Sequence, residues 1–393
     1  MKEQRYGWRI LGAFVVLVAA YMALAWLVLA PLGYYGTTEA PRFADPWIER
    51  TETLLQGGKL YTDVFTTTPP LVNFLLIPPA LLARMTGYQN PGTTAAFMIY
   101  FSLFNLIVAY LLYFSAQDRA RGYRWAMIFL LNPLTMGNSI LRRQDESLIV
   151  VFFALALLFH VKKRHARSII AMGLSLLIKL TGGMMIPVAF LNTWNWRYLI
   201  IPFIVFALVF APFYLQAGEA AVFWDTSQEH TEHPFQFGGV SLGALWTKWQ
   251  QGRYAGPILT VYSVGFIAGV LLLLGYIAWK PAGLLRDLAL LISGVLLLSA
   301  KLHCGYFLFL VFALAPLVTE DRRLQIGYIS FPLLALIADM YKWPIENFPV
   351  AMILMLSVYG LLIVTMVTAR RQDRANAPDY LQAAASRRPI SDG

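Results

Sequence analysis

The chain has 393 residues, of which 58% are hydrophobic and only 13% are charged, whereas soluble domains carry about 25% charged residues. Apolar runs long enough to enter a bilayer recur from Trp8 to Ala369, which excludes a soluble protein and predicts an all-α, polytopic transmembrane helix bundle. The net charge of +10 is typical of basic cytoplasmic loops, so we expect a lipid bilayer and no nucleic acid as partner.

The apolar runs predict about 11 to 13 membrane segments. The first, 10–31, is longer than a signal-peptide core and is interpreted as a retained helix. The others are placed, in chain order, at 94–116, 125–141, 146–161, 168–180, 183–195, 198–215, 255–279, 287–300, 303–318, 326–341 and 348–369.

A polar region, 32–93, follows the first segment. Its apolar piece, 71–82, is interrupted by prolines and is interpreted as short helical structure at the membrane interface. A second polar region covers 216–254. We expect residues 1–369 to form one membrane domain and the polar tail, 370–393, to be disordered and cytoplasmic.

Residues 168–195 are assigned to two short helices because of Lys179. One continuous helix would hold this lysine at mid-bilayer, at a cost of about 3 kcal/mol on insertion scales. A turn at Lys179–Gly183 near the outer surface avoids that cost. With the N-terminus inside, the inner loops then hold 20 of the 31 Lys and Arg residues, which favours cytoplasmic termini and places 32–93 and 216–254 outside.

The candidate functional residues lie in the outer loops. Asp45 follows the first helix and has the chemistry of a general base, although Asp before Pro46 is equally typical of a helix cap. Arg143, Asp145 and Glu146 combine a cation and two acids between two apolar runs. The guanidinium suits phosphate, while acids at a helix start are also explained by the helix dipole.

Cations at the ends of outward-running helices form a third group. Lys179 and Lys301, with His303 and Tyr306 close behind the latter, suit binding of a phosphate, although each lysine is equally explained by its ammonium reaching the interface. A divalent ion such as Mg²⁺ or Mn²⁺ is considered only on a weak pattern of possible ligands, namely Glu49, His230, Glu232 and His233.

These motifs, in their order along the chain, resemble integral-membrane glycosyltransferases of the C-type fold. The resemblance is carried by Asp45 with Gly58-Lys59-Leu60-Tyr61, by Arg143-Gln144-Asp145-Glu146-Ser147, by Lys179 before Pro187, and by Lys301-Leu302-His303 with Tyr306. It is strongest to prokaryotic mannosyl- and arabinosyltransferase-like members and extends distantly to the first mannosyltransferase of GPI-anchor synthesis. The first loop departs from many members because Asp45 has no second acid beside it.

The resemblance implies an inverting transfer of mannose or a pentose in a prokaryotic plasma membrane. The donor would be a polyprenyl-phosphate sugar, and the acceptor a glycan or glycolipid on the non-cytoplasmic face. Asp45 would be the base, Arg143, Asp145 and Glu146 would shape the pocket, and Lys179, Lys301, His303 and Tyr306 would bind the donor. The alternatives are a lipid or small-solute transporter and an O-antigen-ligase-like enzyme.

Overall fold

The computed structural model describes residues 2–31, 46–64, 66, 68–218, 256–298, 304–319 and 322–340, and the single positions 356, 360 and 363. Within these residues the regular elements are helices, apart from one isolated bridge between Leu60 and Val64. The all-α class predicted from composition is therefore confirmed.

Most helices coincide with the predicted apolar runs, but the predicted segment 125–141 is divided after Leu131. The α-helices are α1 (Lys2–Leu24), α2 (Pro46–Leu55), α3 (Pro70–Leu75), α4 (Ile77–Met85), α5 (Gly92–Ser115), α6 (Arg119–Leu131), α7 (Pro133–Met136), α8 (Glu146–Val161), α9 (His165–Ile178), α10 (Met185–Thr193), α11 (Arg197–Ala217), α12 (Gly256–Trp279), α13 (Leu284–Leu298), α14 (Phe307–Val318) and α15 (Arg322–Met340). The predicted tail and most of the predicted segment 348–369 lie outside the described residues.

Three stretches of helix in the described residues are long and apolar enough to cross a membrane: Arg5–Leu29, Gly92–Ser115 and Arg197–Ala217. Other apolar helices are shorter, with 10–17 residues each. Large apolar side chains are strongly exposed, for example Trp8 at 72% and Leu215 at 83%. Such surfaces are unfavourable in water and suit contact with lipid.

The chain divides into two compact units, and unit 1 comprises Met1–Leu131, Thr135–Gly183 and Ile201–Glu232. At its centre α5 packs against α6 and α8, and α8 packs against α9. Gly122 allows the close approach of α6 to α5, because a Cβ at this position would overlap the carbonyl oxygen of Tyr113.

Short helices follow the first membrane segment, as predicted for the outer region. The apolar piece at 71–82 is divided between α3 and α4, which meet at Leu76. The preceding turn contains Tyr61, whose φ is 70° and whose hydroxyl donates to the carbonyl oxygen of Thr68 at 2.8 Å. Tyr61 packs against Phe210 of α11, so this turn is held on a membrane helix of unit 1.

Unit 2 comprises Asn132–Leu134, Met184–Ile200 and His233–Gly393. In its described part, α13 packs against α10, α12 and α14, and α14 packs against α15. The buried carboxylate of Asp287 in α13 accepts a hydrogen bond from Nδ2 of Asn192 in α10, at 3.1 Å. This bond satisfies a polar group that would be costly to bury alone.

Candidate functional site

The start of α8 and the end of α9 lie together at one end of unit 1. The two helices form an antiparallel hairpin whose connecting loop, at 162–164, is at the opposite end. The Nζ atom of Lys179 lies 3.0 Å from Oε1 of Glu146 and 3.5 Å from Oδ1 of Asp145. The structure therefore brings together three of the residues predicted from sequence.

The two acids of this cluster are buried. Glu146 has no exposed surface and Asp145 is 7% exposed, so the charges depend on Lys179 and on hydrogen bonds for stability. Burial raises the pKa of Asp145, and the nearby ammonium of Lys179 opposes that rise. A carboxyl group with a raised pKa in a charged cluster is typical of a functional site.

The side chains of the acidic pair contact the lysine directly. Asp145 occupies the N-cap position of α8, but its side chain makes no capping hydrogen bond. Both carboxylates instead face Lys179, whose side chain is only 20% exposed. Asp145 therefore does not cap α8 through a hydrogen bond, whereas stabilisation of the acids by the helix dipole stays a prediction beside the functional one.

Lys179 is presented by a break between two helices, as the sequence predicts. The α9 helix ends at Ile178, Lys179 is extended, and a 3-10 turn, Leu180–Met184, leads into α10. The amide of Gly182 donates to the carbonyl oxygen of Lys179 at 2.8 Å. A Cβ at Gly182 would overlap the carbonyl oxygen of Ser175, so this tight turn requires glycine.

A π-helical turn, Gly137–Leu141, leads into the cluster and supplies a residue that the sequence analysis missed. Asn138 is fully buried in this turn, and its Nδ2 donates to Oε2 of Glu146 at 3.0 Å. Its Oδ1 accepts a hydrogen bond from Nη1 of Arg142 at 3.2 Å. The available signal was a polar residue within an apolar segment, which is unusual in lipid unless it has a partner or a function.

Arg143 joins the cluster to the start of α5. Its φ is 53°, a left-handed conformation that is uncommon for non-glycine residues and often occurs at functional sites. Its Nη1 donates to the hydroxyl of Thr94 at 3.3 Å. This end of unit 1 therefore contains the guanidinium groups of Arg142 and Arg143 together with the carboxylates of Asp145 and Glu146 and the ammonium of Lys179.

The segment that follows α1 also reaches this end of unit 1. The α2 helix begins at Pro46, and the ring of Trp47 packs on Phe97 and Phe101 of α5, with ring centroids 5.5 and 5.2 Å away. The hydroxyl of Ser147 donates to the carbonyl oxygen of the same Phe101 at 3.0 Å. One turn of α5 therefore contacts both the beginning of α2 and the beginning of α8.

The remaining predicted residues are distributed as follows. Glu49 is exposed on α2, and Tyr306 lies in the 3-10 turn of unit 2 that precedes α14. No group of three His, Cys, Asp or Glu side chains suited to a metal ion occurs among the described residues. Those outside the described residues are Asp45, His230, Glu232, His233, Lys301 and His303.

Comparison with known proteins agrees with this chemistry. No curated protein matches the chain. The sequence profile of Glycosyltransferase family 87 matches residues 65–311, a range that includes the whole of the buried cluster. This match favours a sugar transferase over a transporter. The chain belongs to glycosyltransferase family 87.

Proposed function

We propose that the protein transfers a sugar, mannose or a pentose, from a polyprenyl-phosphate donor to a glycan or glycolipid acceptor on the non-cytoplasmic face. This proposal is based mainly on the cluster of Asp145, Glu146 and Lys179 at one end of unit 1. It combines cations suited to a phosphate with buried acids at the end of apolar helices.

The charge distribution in unit 1 supports the proposed side of the membrane. The end opposite to the cluster contains the start of α1, because the ring of Tyr6 stacks on Tyr123 and the hydroxyl of Tyr110 donates to Gly7. Basic residues collect in the segments that meet there: Arg5, Arg9, Arg119, Arg121, Arg124, Lys162, Lys163, Arg164 and Arg167. Because cytoplasmic loops carry an excess of Lys and Arg, this end faces the cytoplasm and the cluster faces outward.

A lipid-linked donor suits a site in that position. Its tail would lie beside the apolar helices, and its phosphate would lie at the lipid–water boundary beside Arg142 and Arg143. A guanidinium matches the oxygens of a phosphate in geometry and charge, so these residues would stabilise the leaving group. Lys301, His303 and Tyr306 are proposed as further donor-binding residues.

The proposed reaction is a direct displacement at the anomeric carbon. The acceptor hydroxyl oxygen forms a bond to that carbon, the bond from the carbon to the phosphate oxygen breaks, and its electron pair leaves with the polyprenyl phosphate. Asp45 takes the hydroxyl proton. The configuration at the anomeric carbon is inverted. The anchoring of Trp47 on α5, two residues after Asp45, supports this role.

The donor is tested with purified protein in lipid nanodiscs. Radiolabelled polyprenyl-phosphate mannose, a polyprenyl-phosphate pentose and GDP-mannose are supplied separately with a membrane glycolipid extract as acceptor. We expect labelled product from a polyprenyl-phosphate sugar, with inverted configuration by NMR. Transfer from GDP-mannose alone, or product with retained configuration, would contradict the proposal.

A further inference from the structure

Asn138 is bonded on both sides of its side-chain amide within the charged cluster. The amino group donates to Glu146, and the carbonyl oxygen accepts from Arg142. These bonds fix the orientation of the amide, because the flipped amide would set its donors against the guanidinium and its acceptor against the carboxylate.

The π-helical turn places Asn138 in this position. The amide of Arg142 donates to the carbonyl oxygen of Gly137, five residues earlier, at 3.1 Å, and the amide of Gln144 donates to the carbonyl oxygen of Asn138 at 3.0 Å. Turns of this kind are rare and occur frequently at functional sites. Both the backbone and the side chain of Asn138 therefore shape the segment that carries the arginines.

The neutral amide of Asn138 stands between two opposite charges. Arg142 and Glu146 attract each other through a medium of low dielectric constant, and without a spacer they would approach directly. With the amide in place, Oε2 of Glu146 accepts from Asn138, while Oε1 accepts from Lys179 at 3.0 Å. The amide and the ammonium of Lys179 therefore bind different oxygens of the buried acid.

We infer that Asn138 is a positioning residue for sugar transfer, which keeps Arg142 apart from Glu146 and so fixes Arg142 beside the donor phosphate and Lys179 on the acid. This inference rests on the proposed function. Among the described residues, the charged groups bonded to Asn138 are Arg142 from its own segment and Glu146 from the start of α8. The other charged groups of the cluster are Arg143, Asp145 and Lys179, and Lys179 contacts both acids.

The test compares Asn138→Ala, Asn138→Leu and Asn138→Asp with the wild type. Loss of the amide should let Arg142 move away from the donor phosphate, and the loss of this charge-assisted contact should raise the donor KM about 10- to 100-fold. Because Arg142 also stabilises the leaving phosphate, kcat should fall as well. Leucine has the same branched arrangement of side-chain heavy atoms as asparagine but no hydrogen-bonding group, so it should not restore the KM. Polyprenyl phosphate alone should raise the unfolding temperature of the wild type, and this shift should be smaller in Asn138→Ala and in Asn138→Leu.

The Asn138→Asp variant distinguishes a hydrogen-bonding role of this side chain from a role in packing alone. Its protonated carboxyl group can donate to Glu146 and accept from Arg142, as the amide does, whereas its ionised form repels Glu146. Its activity relative to wild type at the same pH should therefore rise as the pH falls from about 8 to about 5.5. The activities of Asn138→Ala and Asn138→Leu, each divided by the wild-type activity at the same pH, should not change over this range.

Asn192 is the matched control. It lies near the end of α10 in unit 2, and its amide donates to the carbonyl oxygen of Val188 at 3.0 Å and to the buried carboxylate of Asp287 at 3.1 Å. Asn192→Ala therefore loses the same kind of bond outside the π-helical turn, and it should lower the unfolding temperature with little change in donor KM. A wild-type KM in Asn138→Leu, or a flat pH ratio in Asn138→Asp, would overturn the inference. If the wild type uses another donor, the proposed function fails, and the same variants are compared with that donor.

Discussion

The ammonium of Lys179 lies 3.0 Å from Oε1 of Glu146, which is fully buried although the two residues are 33 positions apart in the chain. This ion pair joins the end of α9 to the start of α8. Because neither charge is well solvated, each depends on the other for stability.

Removing the cation should destabilise the protein and abolish transfer. Lys179→Met leaves two buried acids without their ammonium partner, and breaking a buried pair in this way costs about 3–5 kcal/mol. The midpoint of thermal unfolding in detergent should therefore fall clearly. The double variant Lys179→Met/Glu146→Gln removes one of the unpaired acids, so its unfolding midpoint should lie above that of Lys179→Met. It should still show no transfer activity. Lys162→Met, which changes an exposed lysine, is the control and should resemble the wild type. An unchanged midpoint in Lys179→Met would show that the pair is not stabilising.

The pKa of Asp145 makes stability depend on pH. Burial raises this pKa in the folded state, so the stability contribution of the protonated acid is complete below the unfolded pKa and is lost as the pH rises through the folded pKa. The Asp145→Asn variant has a neutral side chain that does not titrate, so it lacks this dependence on pH. Its unfolding temperature, relative to wild type, should therefore be higher at pH 8 than at pH 5. A relative stability that falls over this interval would mean that Asp145 is favoured in its ionised form.

Gly182→Ala should displace Lys179 without changing any charge. The added methyl group would overlap the carbonyl oxygen of Ser175, and overpacking of this kind costs about 1–3 kcal/mol. Because a shift of about 1 Å can reduce a rate about 100-fold, we expect transfer to fall at least tenfold. Gly275→Ala is the control, since a Cβ there meets no atom within 4 Å. Equal rates for the two variants would argue against a role for the turn.

The proposed orientation is tested by labelling single cysteines in a Cys304→Ser background. A membrane-impermeant maleimide should label Gln228→Cys in intact spheroplasts, because 216–254 is predicted to lie outside. Lys162→Cys lies at the basic end of unit 1 and should be labelled only after permeabilisation. The reverse pattern would place the cluster on the cytoplasmic face.

The sequence predicted the structure best where a single residue would be energetically unfavourable in a continuous membrane helix. A lysine within an apolar run is expensive in lipid, and this cost was the main reason for predicting the helix break at Lys179. The prolines similarly predicted the short helices α3 and α4. Pairing of Lys179 with Glu146 could not be predicted, because it depends on how α8 packs against α9. The role of Asn138 was missed because its partners are set by a π-helical turn that leaves no periodic pattern.

In the proposed mechanism, Asp45 and the buried cluster of Asp145, Glu146 and Lys179 act in one transfer site. The most direct measurement is the rate of sugar transfer from the accepted polyprenyl-phosphate donor by Asp45→Asn, compared with wild type. Asp63→Asn is the matched control, since Asp63 is an exposed acid of the same region that accepts a hydrogen bond from the amide of Lys59. Loss of a general base should slow transfer about 10²- to 10⁴-fold in Asp45→Asn only. Equal rates in wild type and Asp45→Asn would contradict the mechanism.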